Sequence, residues 1–130
     1  MDDAAERAAI DRLLALLDVE ELDADLYRGR NESNRPGRLF GGQVAAQSLV
    51  AATRTVGGGR RAHSLHGYFL RPGDPTVPVI YTVQRLRDGR SFTNRHVIAL
   101  QRGKAIFDAS VSFQIDERGY EHQMPMPAAT

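Results

Sequence analysis

The chain is 130 residues long, the size of one domain, and folding at that length buries roughly two-thirds of the unfolded surface. Its 42% apolar and 25% charged content belong to a soluble globule rather than a disordered or membrane chain, and its net charge of +1 singles out no polyanionic partner. Cysteine is absent, which excludes a disulfide framework, thiolate chemistry and a cysteine metal cluster.

The acidic start, Met1-Asp-Asp-Ala-Ala-Glu6, does not read as a signal peptide. Residues 3–17 are predicted to form an amphipathic helix. Ile10, Leu13, Leu14 and Leu17 recur at helical spacing, and Asp2 or Asp3 can cap it. Residues 22–30 alternate weakly and predict a first strand, and 31–37 read as a loop. Residues 41–56 predict a second helix, ended by Gly57-Gly-Gly59. Its stretch 44–53 carries no charge, so the helix is expected to be buried, with small residues allowing close approach to a sheet. The longest charge-free run, 39–53, is too short to span a bilayer.

The period then changes to two. Segments 61–71, 77–87, 91–101 and 104–114 predict four strands. In the last, Ala105, Phe107, Ala109, Val111 and Phe113 share one face, and Ile106, Asp108, Ser110, Ser112 and Gln114 share the other. Arg87-Asp-Gly-Arg90 and Arg102-Gly103 are short turns, and Pro72-Gly-Asp-Pro75 is a wider one. Short turns make antiparallel neighbours, so an antiparallel meander wrapped around the second helix is expected. From 119 to 130 the chain reads as an extended tail or linker, since Pro125 and Pro127 lack backbone donors. The expected organisation is one domain over 1–118 followed by that tail.

Several residue groups can carry chemistry. Residues 33–73 contain no acid, but include Arg35, Arg38, Arg54, Arg60, Arg61 and Arg71. Such a run attracts an anion or forms a solvated basic surface. Gly41 and Gly42 at a helix N-terminus can present backbone N–H groups to a carbonyl or phosphate, or simply permit a tight helix start. Gln43 and Gln47 share a helix face and can hydrogen-bond a substrate, or brace neighbouring backbone. His63 and His66 differ by three, so a regular strand points them to opposite faces, away from any shared metal. His66 is a candidate cleft residue, and Arg71, at a strand end, a candidate anion ligand. Arg90 and Ser91 follow the Asp88-Gly89 turn, where they can touch phosphates. No catalytic group stands out. His63 and Asp108 are weak candidates, and no metal or cofactor is expected.

Long ordered motifs carry a family resemblance. Phe40-Gly-Gly-Gln-Val44 with Gln47, His63-Ser-x-His66-x-Tyr-Phe-Leu-Arg-Pro-Gly-Asp74, Arg87-Asp-Gly-x-Ser-Phe92, Ser112-Phe-Gln114 and Glu121-His-Gln-x-x-Pro125 resemble the acyl-CoA thioesterase II family. The resemblance covers about residues 13–127. It implies an α+β hotdog fold, an antiparallel sheet wrapped around a central helix, here with an extra N-terminal helix. The family has two hotdogs in tandem, and this chain resembles the first. The family's hydrolytic Asp, Ser or Thr, and Gln belong to the second. Matching the halves brings the Ser/Thr position near Arg60 and the Gln position near Ser112, neither of which keeps the family residue.

The expected function is therefore hydrolysis of fatty acyl-CoA to fatty acid and CoA, with a second hotdog supplied by a partner or a second copy. The alternatives are a non-catalytic acyl-CoA or acyl-carrier binding module, or a fragment of a longer thioesterase. Fatty acyl-CoA or CoA is the expected ligand, and no nucleic acid partner is expected. The absence of cysteine fits a cytoplasmic setting, and Pro127-Ala-Ala-Thr130 does not read as a peroxisomal address.

Overall fold

A computed structural model describes residues 3–32 and 36–129. In chain order the elements are α1 (Asp3–Leu17), β1 (Glu20–Asp23), β2 (Leu26–Gly29), α2 (Gly41–Arg54), β3 (Arg60–Phe69), β4 (Val79–Asp88), β5 (Phe92–Gln101) and β6 (Lys104–Ile115). The candidate cap Asp2, and Arg35 of the acid-free run, lie outside the described residues.

All strands pair antiparallel in one sheet of order β1-β2-β4-β5-β6-β3. α2 packs against β2, β3, β4, β5 and β6, so the sheet wraps around it. The fold is α+β, the hotdog arrangement the resemblance implied. Alternation explains the core. Val79 and Tyr81 of β4, Val97 and Ala99 of β5, and Phe107 to Phe113 at every second position of β6 are buried toward α2. α2 answers with Val44, Gln47, Ser48, Ala51 and Ala52. Alanine and serine at these positions let the helix axis approach the sheet.

Two expectations change. The single strand expected at 22–30 is a hairpin, β1 and β2, turned at Ala24-Asp25. Asp25 takes φ of 58°, a left-handed conformation that aspartate tolerates, and its carboxylate accepts hydrogen bonds from the Arg85 guanidinium at 2.9 to 3.2 Å. That pairing holds the Arg85 guanidinium above its ordinary pKa. The meander is also incomplete. β4, β5 and β6 are hairpin neighbours, but β3 does not pair with β4. The chain crosses between them, and β3 lands on the far edge beside β6. Gln101 holds this crossing: its Oε1 accepts from Asp74 N at 2.8 Å, while its Nε2 donates to the Asp74 and Val77 carbonyls. The Arg102-Gly103 turn is as expected, with φ of 49° and 75° matching the two left-handed positions of a two-residue hairpin.

α1 stands outside this core and buries none of its residues. Its C-terminal end is tied down to α2. Gln47 Nε2 donates to the Leu16 carbonyl at 2.8 Å, and Arg54 binds the Val19 carbonyl and the Asp18 carboxylate. After β6, residues 116–129 have no regular secondary structure, and Tyr120, Met124 and Met126 are exposed.

Candidate active site

The N-terminus of α2 is the focus. Its cap, Phe40, supplies no side-chain hydrogen bond, and its carbonyl accepts from the Gln43 and Val44 N–H groups. Among the described residues none accepts from Gly41 or Gly42 N–H, the first-turn donors that have no intrahelical partner. Gly41 leaves room for a neighbouring ring: a Cβ there would sit 2.8 Å from Phe69 Cζ. Phe69 in turn stacks on Phe107 with centroids 4.7 Å apart. The glycine thus lets an aromatic from β3 close over the helix start.

A pocket of about 400 Å³ opens here, lined by Arg38, Gly41, Phe69, Leu70 and Arg71 among others. Arg71 is held in place by NH1 donating to the Ala105 carbonyl at 2.7 Å. Asp88 pairs with Arg95 at 2.7 Å and Asp74 with Arg102 at 3.4 Å. Two cations and uncapped N–H groups at a positive helix end favour an anion or a polarised carbonyl oxygen. A second, apolar groove of about 600 Å³ lies on the other side of the same turn, between α1 and α2. Phe40, Gly42, Gln43 and Ala46 form part of one wall and Leu13 and Leu16 part of the other. Gln43 is oriented by Nε2 donating to Asn31 Oδ1 at 3.0 Å.

The remaining sequence-derived candidates are not brought to this point. Gln47 is 0% exposed. Its two amide hydrogens go to the Leu16 and Arg30 carbonyls, and its oxygen accepts from Tyr81 Oη at 2.6 Å. It braces α1, β2 and β4, with no donor left for a ligand. Burial also pushes the Tyr81 phenol well above its usual pKa. Arg90 and Ser91 lie at the opposite end of α2, beside its C-cap. Arg60 NH2 donates to the Arg90 carbonyl, and Ser91 Oγ donates to Glu117 at 2.9 Å.

The histidines occupy the outer sheet face, away from α2. The pairing of β3 with β6 slips between Ala62 and Ser64, leaving His63 as an extra residue. This bulge moves His63 onto the same face as His66, against the expectation from a regular strand. His63 Nε2 meets Ser112 Oγ at 2.8 Å, and His66 stands opposite Ser110 with its ring 5.0 Å from Tyr68. Asp108, on the same face, is bound by His96 Nε2 at 3.0 Å. The sheet separates His63 and Asp108 from the Gly41-Gly42 turn. Among the described residues no group of three or more His, Cys, Asp or Glu is arranged to hold a metal ion. The acid-free run likewise disperses. Arg54 and Arg60 are spent on backbone and neighbours, Arg61 stands 3.9 Å from Asp116, and among the described residues of the run only Arg38 and Arg71 line one pocket.

Residues 30–114 match the family model described as the acyl-CoA thioesterase N-terminal domain. The chain belongs to this acyl-CoA thioesterase family. The acyl-coenzyme A thioesterase 8 of Mus musculus is 50% identical over 116 residues, covering 88% of this chain and 36% of that protein. The acyl-CoA thioesterase II TesB2 of Mycobacterium marinum superposes with a TM-score of 0.82 at 47% identity, covering 92% of this chain and 44% of that one. A protein of Alicyclobacillus acidocaldarius described as having a hot dog fold superposes at 0.76 with 22% identity, over 92% of this chain and 46% of that one, and shares the fold. The chain thus spans less than half the length of these relatives.

One residue that sequence reading passed over organises the far end of the site helix. Arg95 has a side chain only 1% exposed. Its signal in the sequence was a lone charge on the inward strand face that it shares with Thr93, Val97, Ala99 and Gln101.

Proposed function

We propose that this domain binds acyl-CoA at the N-terminal end of α2 and takes part in hydrolysing fatty acyl-CoA to free fatty acid and CoA, together with a second hotdog supplied by a partner or a second copy. The reading is carried by one observation: Arg38 and Arg71 flank a pocket that is also lined by Gly41, whose N–H has no partner among the described residues. Of the residues singled out in the sequence, Gly41, Gly42, Gln43 and Arg71 belong to this end, with Arg38 added. Membership of the acyl-CoA thioesterase family supports the substrate class. β3, a ten-residue strand at the sheet edge and largely exposed, is the surface we assign to the second hotdog, since pairing there would satisfy its free backbone groups. The organisation we read is a hotdog over 1–118 with 119–130 as an extended tail, in a cytoplasmic protein. Among the described residues no helix is long and apolar enough to cross a membrane.

A second reading is a non-catalytic acyl-CoA binding module. It is favoured by the state of Asp74, a carboxylate close in sequence to Arg71. Asp74 accepts from Thr76 N at 2.8 Å and Thr76 Oγ1 at 2.6 Å, which holds its pKa below the usual value and makes it a poor base. Calorimetric CoA binding and palmitoyl-CoA turnover, measured on the same purified chain, separate the two. Turnover supports the first reading, and binding without turnover that persists when a second hotdog half is added supports the second. Absence of CoA binding overturns both.

A further inference from the structure

We propose that the groove between α1 and α2 holds the acyl chain, so that α1 grades substrates by chain length. The inference rests on the acyl-CoA reading above and specifies where the apolar half of that ligand lies. Two cavities meet at one helical turn. Gly41 borders the basic pocket and Gly42 the apolar groove, and neither N–H has a partner among the described residues. A thioester is built in the same order, with the polar CoA moiety on one side of its carbonyl and a hydrocarbon chain on the other, the phosphates set back from the carbonyl by the pantetheine arm. Arg38 and Arg71 stand on the CoA side, and a carbonyl oxygen at the turn matches the free donors. The hydrocarbon then has the groove, whose walls include Leu13 and Leu16 from α1 and Phe40 and Ala46 from α2.

Several features of α1 fit this role. It buries no residue in the domain core, yet Leu13 is 54% exposed on the groove side. The α1 residues lining the groove, Ala9, Arg12, Leu13, Leu16 and Leu17, follow one helical face. They extend along the helix for roughly 12 Å, the length of a medium acyl chain rather than an acetyl group. Phe40, 69% exposed beside Gly42, completes the rim.

The test measures binding of two non-hydrolysable thioethers, S-methyl-CoA and S-decyl-CoA, to the 130-residue chain by calorimetry. The expected result is that S-decyl-CoA binds roughly tenfold or more tightly, because each methylene moved out of water adds to affinity. Ala46→Phe fills the α2 wall and Leu13→Trp narrows the α1 wall at an exposed site. Both should bring the decyl-to-methyl ratio toward one while leaving S-methyl-CoA affinity within about twofold. Equal binding of the two thioethers by the unaltered chain overturns the groove assignment and leaves the acyl-CoA reading standing. A ratio unchanged in both variants does the same. No binding of either thioether overturns the acyl-CoA reading and the groove assignment together. Light scattering on Leu13→Trp gives a further check: a changed oligomeric state with an unchanged ratio assigns the groove to a protein contact and overturns the proposal.

Discussion

The Arg95 guanidinium holds Thr55 twice, with Nε donating to Thr55 Oγ1 at 2.7 Å and NH2 to the Thr55 carbonyl at 3.0 Å. Thr55 is the C-cap of α2, so a buried cation from β5 meets the negative end of the helix that carries the candidate site at its other end. The remaining donors go to the Arg87 and Asn94 carbonyls and to Asp88 Oδ1, which uses all five guanidinium N–H groups. Helix, hairpin and strand are locked together at this point.

Arg95→Met should therefore destabilise the domain by about 3 kcal/mol, because the Thr55 carbonyl loses its partner at a buried position and Asp88 loses its cation. Thr55→Val removes the acceptor of Arg95 Nε and the hydroxyl donor to the Ala52 carbonyl, keeps the Thr55 carbonyl contact, and should cost about 1–2 kcal/mol. Urea denaturation followed by circular dichroism gives both values. A loss below 1 kcal/mol for Arg95→Met would show that the network does not support the fold.

Ser48 points the other way. It is fully buried on α2, and its Oγ has no hydrogen-bond partner among the described residues. An unsatisfied buried hydroxyl is a cost, so Ser48→Ala should raise stability by about 1 kcal/mol, less any loss from the small space vacated. The readout is an increased thermal midpoint with CoA binding unchanged.

Tyr81 and Gln47 form the other buried polar pair, joined at 2.6 Å. Tyr81→Phe leaves the Gln47 oxygen without its donor and should cost about 1–3 kcal/mol. Because burial raises the Tyr81 phenol far above its ordinary value, this tyrosine should stay protonated until alkali unfolds the chain. Absorbance titration of the unaltered protein against Tyr81→Phe isolates that ionisation.

Acid stability follows from two aspartates. The Arg95 hydrogen bond lowers the Asp88 pKa, and the Thr76 hydroxyl and N–H lower that of Asp74, each from an ordinary value of 3.8. A carboxyl with a lowered folded-state pKa stabilises the fold fully above its unfolded value. That contribution fades as pH falls from 3.8 through the folded-state pKa. Denaturation midpoints should stay level on account of these groups near neutrality and drop below about pH 4. Asp88→Asn should flatten part of that drop. An unchanged slope would show that the Asp88 pairing does not drive it.

Gly41→Ala tests the site turn itself. The added methyl meets Phe69 at 2.8 Å and displaces a ring that borders the basic pocket. CoA affinity should fall several-fold with a stability change below about 1 kcal/mol, since alanine is otherwise favoured in a helix. Calorimetry and thermal melting on the same sample separate the two effects.

Much of the architecture was legible in the chain. The change from a helical period to a period of two located both helices and the four long strands, because alternation and amphipathicity are local consequences of which face is buried. The motifs around Phe40-Gly-Gly-Gln and His63-Ser-x-His identified the acyl-CoA thioesterase lineage. Which residues share a site was not local information. A one-residue bulge turned His63 onto the outer face with His66, because inserting a residue reverses alternation beyond it. The crossing between β3 and β4 carried Arg71 to the N-terminus of α2, while the length of that helix set Arg90 and Ser91 at its other end. Gln47, one helical turn from Gln43, became a buried brace because α1 and Tyr81 close over it. Sequence determined the elements and the lineage through local periodicity and motif, and tertiary packing decided which polar groups remained open to a ligand.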